Sequence, residues 1–474
     1  MITGKILKNR GWKEGRVIGL AKMAGHALET QGLEESEILN RLDEVLAQPD
    51  QFAFTKPFSD LAAELLKRER SDKSKIADTL RAEALDFPTW GAEFIDAGAV
   101  AQMRAAMSLP VTVAGALMPD AHIGYGLPIG GVLATSETVI PYAVGVDIAC
   151  RMRISIYDVS PQILEGQSAK LEKSIAEQTK FGMKERFSIH DRPSHPVLDD
   201  EDWRATKLLG SLREKAVAQL GTSGGGNHFV EWGEFDLPAD SSDLGLAKGK
   251  YLALLSHSGS RGVGFKIANE FSRLAMSLHP QLDQVVKHLA WLDMDCDAGR
   301  DYWLSMELAG RFAAANHSVI HSRVSKAAGL KEVAHVENHH NFAWKETMID
   351  GSEAIVHRKG ATPAGAGVLG VIPGSMADAG YVVKGLGKAE SLNSASHGAG
   401  RKLGRKAAIN SLTKNERDRY LQERGVKLMG GGLDEAPQAY KNIEEVIAAQ
   451  SDLVEIIGKF SPRIVRMADE AGGY

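Results

Sequence analysis

Beyond residue 88, short runs of β-prone residues repeatedly end in clusters of glycine, histidine or aspartate. Clear cases are the runs "VTVAGALM", "GGVLAT", "YLALLS" and "EAIVHRKG". Stretches with apolar residues at helical spacing lie between them, such as "DYWLSMELAGRFAAANHSVIHSRVSKAAG". This alternation predicts a mixed α/β or α+β domain over residues 89–474, in which many strand ends lead into polar loops. Functional side chains commonly lie on such loops.

Residues 1–88 have a different sequence pattern. The stretches "ESEILNRLDEVLAQ" and "SDLAAELLKRER" carry apolar residues at helical spacing with charges between them, and "SDKSKIADTLRAEAL" continues the pattern. Glycines are few here, and the segment contains no obvious chemical motif. We therefore predict that residues 1–88 form a helical N-terminal extension or docking domain.

Composition excludes several classes of protein. The formal net charge is −5, so the chain is not a basic, histone-like binder, and any contact with nucleic acid must rest on a local patch. Two cysteines, Cys150 and Cys296, cannot form a disulfide framework and are typical of a reducing compartment. Because the start of the chain lacks a signal-peptide-like run and no stretch of about 18 apolar residues occurs, we expect a cytoplasmic protein without a membrane span.

Asp147 and Cys150 lie three residues apart in "VGVDIACRM", directly after an apolar run. A carboxylate and a thiolate at that spacing can bind one metal ion or bridge two, although a buried free cysteine more often acts as a small apolar residue. Taken alone, this pair leaves both interpretations open.

Three further segments each place a histidine in a turn rich in glycine, serine or asparagine near a predicted strand end. His228 lies in "GTSGGGNHFVEWG", His257 in "LLSHSGSRGVG", and "VENHHNFAW" contains His339 and His340. Histidine is the commonest metal ligand, and neighbouring amide groups can orient it. Together with a thiolate and a carboxylate, these nitrogens suit zinc or a first-row ion such as manganese or cobalt.

A second histidine pair has a different explanation. His317 and His321 lie four residues apart in "NHSVIH", a spacing that can bind zinc on a helix. The glutamate of the HExxH motif is missing, so we interpret this pair as part of a helix face.

Glycine and serine turns that contain arginine or lysine predict phosphate binding. They occur in "HRKGATPA", "VIPGSM" and "SHGAGRK". Backbone N–H groups and guanidinium groups in such turns suit phosphate oxygens, although any one of these segments alone is also compatible with an ordinary surface loop. His397 lies among small residues in "NSASHGAGRKLGR", and a neutral imidazole can attack phosphorus. The residues thus predict metal-dependent phosphoryl or nucleotidyl transfer, with the substrate undefined.

In their order along the chain, these motifs resemble those of the RtcB family of RNA ligases over about residues 95–460. The matching segments are "MPDAHIGYGLPIGGV", "PYAVGVDIACRM", "GTSGGGNHFVE", "LLSHSGSRGVG", "HHNF", "RKGA", "IPGSM", "VKGLGKAESLNSASHGAGR" and "DEAPQAYKNIEEVIAAQSDLVEII". The resemblance implies an α+β core of packed β-sheets, flanked by helices around a metal cleft. It also implies a GTP-dependent enzyme with two Mn²⁺ ions, which joins an RNA 3′-phosphate or 2′,3′-cyclic phosphate to a 5′-hydroxyl.

The resemblance also assigns residues. It implies that His397 takes GMP from GTP and passes it to the RNA 3′-phosphate. The implied metal ligands are Asp147, Cys150, His228, His257 and His340, with the thiolate bridging the two ions. The implied nucleotide contacts are Asn227, Glu231, Ser375, Arg401 and Tyr440, with the glutamate reading guanine. The expected partners are RNA and GTP, and the sequence leaves open whether an activating protein is needed.

Three segments depart from the family pattern. Family members often read DIGCGM, whereas this chain reads "DIACRM", so we expect Arg151 beside a metal ligand, where its charge can tune phosphate binding or block a route. Tyr125 in "PDAHIGYG" replaces a lysine. The C-terminal "SPRIVRMADEAGGY" lacks the lysine that helps to read guanine in the family, and Arg466 is the nearest base.

These differences around an intact ligand set predict a divergent branch that repairs a specific broken RNA, so equal ligation of a panel of RNAs would contradict the idea. Two other functions stay open at this point. One is a metal-dependent cyclic phosphodiesterase that does not ligate, and the other is a non-catalytic RNA-binding homologue.

Overall fold

The computed structural model of the protein describes residues 2–12, 16–52, 55–65 and 78–469. The chain divides into two compact units, Met1–Ala77 and Asp78–Tyr474. Each unit has its own apolar core.

The N-terminal unit is helical. Its helices are α1 (Gly4–Asn9), α2 (Arg16–Thr30), α3 (Glu35–Ala47) and α4, of which residues 59–65 are described. Apolar side chains at helical spacing fill the core between them, including Leu28, Leu42 and Leu61. The guanidinium of Arg10 donates to Asp43 (2.8 Å) and ties the end of α1 to α3. The amphipathic patterns of the sequence correctly predicted α3 and the described part of α4, and residues 66–70 of the second pattern lie outside the described residues.

The helices of the C-terminal unit are α5 (Ala97–Met107), α6 (Pro141–Val144), α7 (Ile163–Gly166), α8 (Ser168–Gln178), α9 (Lys207–Gln219), α10 (Arg261–Leu278), α11 (Asp297–Ala328), α12 (Arg405–Ser411), α13 (Lys414–Glu423) and α14 (Ile443–Ala448). The long helical pattern of the sequence corresponds to α11, most of whose inward side chains are buried. Among the described residues, no helix combines the length and the apolarity that a membrane crossing requires.

The strands are β1 (Thr112–His122), β2 (Ile129–Thr135), β3 (Thr138–Val139), β4 (Arg151–Tyr157), β5 (Lys180–Phe181), β6 (Thr222–Gly224), β7 (Phe229–Leu237), β8 (Gly249–Ser258), β9 (Leu292–Asp293), β10 (Glu332–His339), β11 (Asn341–Thr347), β12 (Glu353–Lys359), β13 (Ala361–Pro363), β14 (Leu369–Ile372), β15 (Gly380–Gly385), β16 (Ser394–Ser396), β17 (Lys427–Met429) and β18 (Val454–Met467). The four β-prone runs of the sequence correspond to β1, β2, β8 and β12. Strands and helices thus form an α+β fold, as expected.

An eight-stranded sheet is the centre of the fold. Its order is β10-β4-β8-β7-β18-β15-β14, with β17 added beside β18. All its pairs are antiparallel except β17 with β18. A second sheet has four strands in the order β1-β2-β12-β11. The chain passes directly from β10 of the central sheet to β11 of this one.

The central sheet curls until its two edges meet. The side chain of Asn338, on the edge strand β10, accepts a hydrogen bond from the Val371 N–H (2.8 Å) on the other edge strand, β14. The same amide donates to the Thr362 hydroxyl (2.6 Å) and to the Val371 carbonyl (3.4 Å). One side-chain amide thus replaces the backbone ladder that would close a complete barrel.

The segment after residue 77 differs from its predicted helix. Described residues 78–88 contain no helix. The Arg81 guanidinium donates to the carbonyls of Pro110 (3.1 Å) and Thr112 (2.8 Å), and the Arg81 N–H donates to Ser108. Leu80, Leu85 and Phe87 pack against the main core. Contacts with the end of α5 thus override the local helical pattern. Residues 71–77 of the same pattern lie outside the described residues.

Replacing Asn338 by alanine is expected to destabilise the protein by about 2–4 kcal/mol, because it removes three hydrogen bonds and leaves the buried Val371 N–H without a partner. Val333→Ala on the same strand is the control, since that side chain is exposed and its loss should cost roughly 0.5 kcal/mol or less. Urea unfolding of both variants measures the difference. Equal destabilisation by the two changes would show that the amide does not hold the sheet edges together.

Candidate active site

Four strands of the central sheet deliver side chains to one end of it. Met152 on β4 and Phe229 on β7 both lie opposite His257 on β8, and His339 on β10 lies opposite Arg151. The start of β4, the start of β7, the end of β8 and the end of β10 therefore meet. Placed there, or in the turn before β4, are the predicted metal ligands Asp147, Cys150, His228, His257 and His340.

The ligand atoms of these five side chains converge. Cys150 Sγ lies 3.1 Å from His257 Nε2 and 3.5 Å from His228 Nε2. His257 Nε2 lies 3.2 Å from His340 Nε2, and Asp147 Oδ2 lies 2.9 Å from His228 Nε2. The atoms form two overlapping groups that share the cysteine, and within each group they lie within 4.8 Å of one another.

The hydrogen bonds at the back of the rings fix their tautomers. His228 Nδ1–H donates to the main-chain carbonyl of Ser223 (2.9 Å), and His257 Nδ1–H donates to that of Asn227 (3.0 Å). Each of these two rings, when neutral, therefore points its Nε2 lone pair into the cluster. Asp147 Oδ1 is also buried without a partner. Facing lone pairs repel one another unless a cation lies between them, so these residues fit a metal ion.

Burial sets the protonation of the cluster. It raises the pKa of the Cys150 thiol well above its usual range, and the Asp147 charge adds to this. It lowers the pKa of His257 to about 3 and that of His340 well below its usual value. Burial opposes ionisation of Asp147, but the hydrogen bond and charge of His228 leave its pKa lowered. The His257 and His340 imidazoles are thus neutral and ready to bind metal, and a bound cation would displace the thiol proton.

His397 lies beside this cluster, with its ring centroid 4.9 Å from that of His340. Asp120, at the end of β1, accepts two hydrogen bonds from it on Oδ2, from Nδ1–H (2.6 Å) and from the main-chain N–H (3.1 Å). Nε2 of His397 is therefore left with its lone pair available for attack. The carboxylate fixes both the tautomer and the orientation of the ring.

The surroundings hold Asp120 in place. Its side chain is fully buried. Lys441 Nζ donates to the carbonyls on either side of it, Pro119 (3.1 Å) and Ala121 (2.7 Å). Gly400 has a φ of 73°, and a Cβ there would lie 2.1 Å from the Asp120 carbonyl oxygen, so only glycine fits. The glycine that follows His397 by three residues thus allows the close approach of the two segments.

Two of the predicted nucleotide contacts form a cluster of their own. Arg401 Nη1 donates to the buried Glu435 (2.9 Å) and to the Tyr440 hydroxyl (3.3 Å), and its guanidinium carbon lies 5.1 Å from the centre of the tyrosine ring. The Tyr440 hydroxyl donates to the same carboxylate. A second arginine, Arg405, also pairs with Glu435 and lies against the glycine turn at Gly226. The cluster therefore borders the loop that precedes His228.

Glu231 lies on β7, and its cross-strand neighbours are Leu255 and Val465. Directly paired residues point to the same face of a sheet, and both neighbours belong to the apolar core inside the curled sheet. The carboxyl is buried, and Oε2 has no hydrogen-bond partner. Burial raises the pKa of Glu231 well above its usual range. Oε2 of Glu231 is therefore a buried polar atom whose hydrogen-bonding capacity is unused.

The remaining predicted contacts are less directly connected. Asn227 contributes its main-chain carbonyl to His257, and its side chain is partly exposed. Ser375 donates to Asp378, in a turn whose Pro373 carbonyl packs against Gly398. The structure thus places Ser375 near the segment of His397, with its hydroxyl bonded within its own turn.

The two arginines in segments that depart from the family pattern, Arg151 and Arg466, face away from the site. Arg151 pairs with Glu337 (3.3 Å) and contacts His339 Nδ1 (3.1 Å). Because side chains alternate along a strand, its guanidinium lies on the opposite face of β4 from the metal ligands. Arg466 lies one residue after the partner of Glu231, so it also points to the outer face, where it pairs with Asp469 (2.7 Å). Arg151 thus directly follows Cys150, as expected, but its guanidinium points away from the ligand atoms, and its effect on phosphate binding stays a prediction.

The sequence did not identify Asp120, Glu435 or Arg405 as site residues. Each occurs within a motif that the resemblance includes or adjoins, but no local pattern separates them from structural residues. The HxxxH pair, by contrast, lies on the buried face of α11 as expected. His317 Nδ1 and His321 Nε2 both contact the Ser256 hydroxyl, at 2.7 and 2.8 Å, and neither ring joins the ligand cluster.

A buried set of S, N and O ligands beside an acid-supported histidine is typical of enzymes that transfer phosphoryl groups with bound metal ions. The family described as tRNA-splicing ligase RtcB matches residues 102–210 and 200–468. The RNA-splicing ligase RtcB of Escherichia coli K12 is 33% identical over 367 residues, which covers 72% of this chain and 87% of that protein. The tRNA-splicing ligase RtcB of Nanoarchaeum equitans is 32% identical over 418 residues, with 73% and 86% covered. The chain belongs to the RtcB family of RNA ligases.

Replacing Glu231 by glutamine is expected to stabilise the metal-free protein increasingly as the pH rises above about 4.5. The unfolded carboxyl loses its proton above that pH, whereas burial keeps it protonated in the fold, so the wild type must take up a proton to fold. Its stability should fall relative to the variant by about 1.4 kcal/mol per pH unit, up to the folded pKa. Urea unfolding at pH 5, 6, 7 and 8 measures this.

Glu390→Gln makes the same change on an exposed side chain and is the control. A stability difference between wild type and Glu231→Gln that does not change with pH would contradict a protonated buried carboxyl.

Proposed function

We propose that this protein seals broken RNA by joining a 3′-phosphate or 2′,3′-cyclic phosphate end to a 5′-hydroxyl end, at the expense of GTP. The observation that carries the proposal is the position of His397 between the buried carboxylate of Asp120 and the ligand cluster. We place catalysis in residues 89–474 and treat the helical N-terminal segment as an extension or docking domain. Both cysteines are free, which suits the reducing cytoplasm in which we propose that it acts.

The first chemical step uses His397 as the nucleophile. Its Nε2 attacks the α-phosphorus of GTP, a P–N bond forms, and pyrophosphate leaves with the electrons of the broken P–O bond. Asp120 accepts the Nδ1–H and balances the positive charge that develops on the ring. Because the carboxylate also holds the main-chain N–H, the imidazole is oriented before the nucleotide arrives.

The second step reverses the formation of the P–N bond, and the third joins the RNA ends. An oxygen of the RNA 3′-phosphate attacks the guanylyl phosphorus, and the P–N bond breaks as its electron pair returns to Nε2. The RNA 5′-hydroxyl then attacks the activated 3′-phosphate, loses its proton to solvent, and releases GMP. A cyclic phosphate is first opened by water to the 3′-phosphate. Arg401 and Tyr440 are proposed to contact the nucleotide, as are Asn227 and Ser375.

Two Mn²⁺ ions are proposed for the ligand cluster. The residues fit because the acceptor atoms converge and because Cys150 belongs to both overlapping groups, so its thiolate can bridge two ions. Asp147 and His228 would complete one ion's shell, and His257 and His340 the other's. Bound ions would neutralise phosphate charge and orient the attacking groups.

Guanine selection is proposed to rest on Glu231. The carboxyl is buried and Oε2 lacks a partner, so the N1–H and amino group of a purine base such as guanine would supply the missing donors. Arg466 is on the other face of the sheet and cannot share this role.

Wild-type protein incubated with Mn²⁺ and α-labelled GTP is expected to acquire acid-labile label, and His397→Ala is expected to acquire none, because the P–N bond forms at that nitrogen. His190→Ala, which changes an exposed histidine in the short 3-10 turn Ile189–Asp191, is the control and should label normally. Removal of metal by a chelator should abolish labelling in all proteins.

The same experiment with α-labelled ATP separates the alternatives. Label from ATP in place of GTP would contradict guanine selection by Glu231. Failure to label with either nucleotide, in protein that holds metal and opens cyclic phosphates, would overturn the ligase and favour the cyclic phosphodiesterase.

Asp120→Asn is expected to slow guanylylation on the order of 100-fold or more, because the amide keeps the shape of the side chain but supplies no negative charge to the developing imidazolium. Metal content should be unchanged, since Asp120 is not among the converging ligand atoms. Single-turnover labelling and metal analysis of the variant measure both quantities, with the exposed Asp158→Asn as the control. An unchanged labelling rate would remove Asp120 from the mechanism.

A further inference from the structure

The loop between β1 and β2, residues 123–128, presents apolar groups to solvent. The ring of Tyr125 is 73% exposed, and the side chain of Ile123, two residues earlier, is 58% exposed. Single exposed apolar side chains are common on protein surfaces, so exposure alone assigns no role. Two further properties of this loop indicate a role for it.

First, the backbone that carries the ring is held on both sides. The side-chain amide of Gln102 donates to the Gly124 carbonyl (2.6 Å) and accepts from the Gly124 N–H (3.0 Å). The ammonium of Lys359 donates to the carbonyls of Tyr125 and Leu127, the latter at 3.0 Å. A ring on a backbone that is already fixed loses little freedom when a ligand binds to it.

Second, the loop adjoins His397. It begins directly after His122, two residues beyond Asp120, the hydrogen-bond partner of His397. The lysine that holds the loop is followed by Gly360, where a Cβ would lie 3.1 Å from His397 Cε1. Lys359 thus bonds the backbone of Tyr125, and the next residue, Gly360, packs against the proposed nucleophile His397.

The chemistry of the loop favours a base over a phosphate. Residues 121–131, "AHIGYGLPIGG", contain no lysine, arginine, aspartate or glutamate. Burial lowers the pKa of His122 to about 4, so that ring is neutral. The nearby ammonium groups of Lys359 and Lys441 each spend two of their three N–H donors on main-chain carbonyls. What the loop offers outward is a flat π-face and an aliphatic side chain.

We propose that Tyr125 is a stacking platform for an unpaired nucleobase at one of the two RNA ends being joined. Flat aromatic side chains bind splayed-out bases of single-stranded RNA in this way, and they do so without strict sequence preference. The proposal rests on the proposed RNA-joining function and adds to it a contact that selects RNA ends with an unpaired terminal base.

The test compares Tyr125→Ala with Tyr125→Phe in multiple-turnover ligation of short RNAs. Alanine should lower kcat/KM for ligation by about 5- to 150-fold, the range for one base–aromatic stack, and phenylalanine should retain nearly all of it. Tyr125→Lys, which supplies charge without a ring, should resemble alanine. Ile349→Ala, an 81% exposed side chain in another loop, is the control.

RNAs with an abasic nucleotide at the terminal 3′ or terminal 5′ position identify the base. For one of these RNAs, wild type should fall to the level of Tyr125→Ala, and the alanine variant should lose nothing further. That end is then the one which stacks. A loss caused by Tyr125→Ala that is the same on both abasic RNAs as on intact RNA would overturn the proposal, as would a phenylalanine variant as poor as alanine.

Guanylylation of His397 separates this proposal from the function on which it rests. Labelling from GTP, and the KM for GTP in that step, should be the same in wild type and all Tyr125 variants. A raised KM for GTP would mean that the ring contacts the nucleotide and would overturn RNA stacking. Absence of labelling in wild type would instead be a failure of the proposed function itself.

Discussion

The mutual repulsion of buried lone pairs is the interaction on which the rest of this structure depends. Cys150 Sγ lies 3.1 Å from His257 Nε2 and 3.5 Å from His228 Nε2, in surroundings that keep the His257 imidazole neutral. Such a cluster is costly for an empty fold and favourable only around a cation. The curled sheet positions the arrangement because four strand ends meet in fixed register, with His257 on β8 itself and the other four residues in the turns next to β4, β7 and β10. Main-chain carbonyls behind the rings select the tautomer that points Nε2 inward.

Much of this could be predicted from sequence, and the reasons are local. Glycine- and asparagine-flanked histidines at strand ends identified three of the ligand segments, and family resemblance chose between His339 and His340. Asp120 could not be found in this way, because it lies 277 residues from His397 in an otherwise apolar strand. The helical pattern after residue 77 was wrong for a related reason. Its apolar residues serve the main core, and the Arg81 guanidinium caps carbonyls after α5.

The positions where the sequence differs from the family pattern fall into two groups, those that face away from the site and those next to it. Arg151 and Arg466 appear in site motifs, yet the alternation of side chains sends both to the outer face, into ion pairs with Glu337 and Asp469. Tyr125 is different, because its loop is fixed next to the segment of His397. Linear proximity to a ligand is thus a poor guide to function in a strand, where adjacent residues belong to opposite environments. The His317 and His321 pair illustrates the same point on a helix, where both rings serve the hydroxyl of Ser256.

The single amide that joins the sheet edges has a consequence for motion. Every other seam of the central sheet is a ladder of backbone hydrogen bonds, but β10 and β14 are linked through the side chain of Asn338. Local opening of a fold starts where the fewest bonds must break. Here that place is the free side of β10, the strand that ends just before His340. An ion held by His340, His257 and Cys150 would tie the end of β10 to β4 and β8 and so add a link to the strand with the fewest bonds at its outer edge. Metal binding at this cluster would therefore be expected to slow hydrogen exchange along β10.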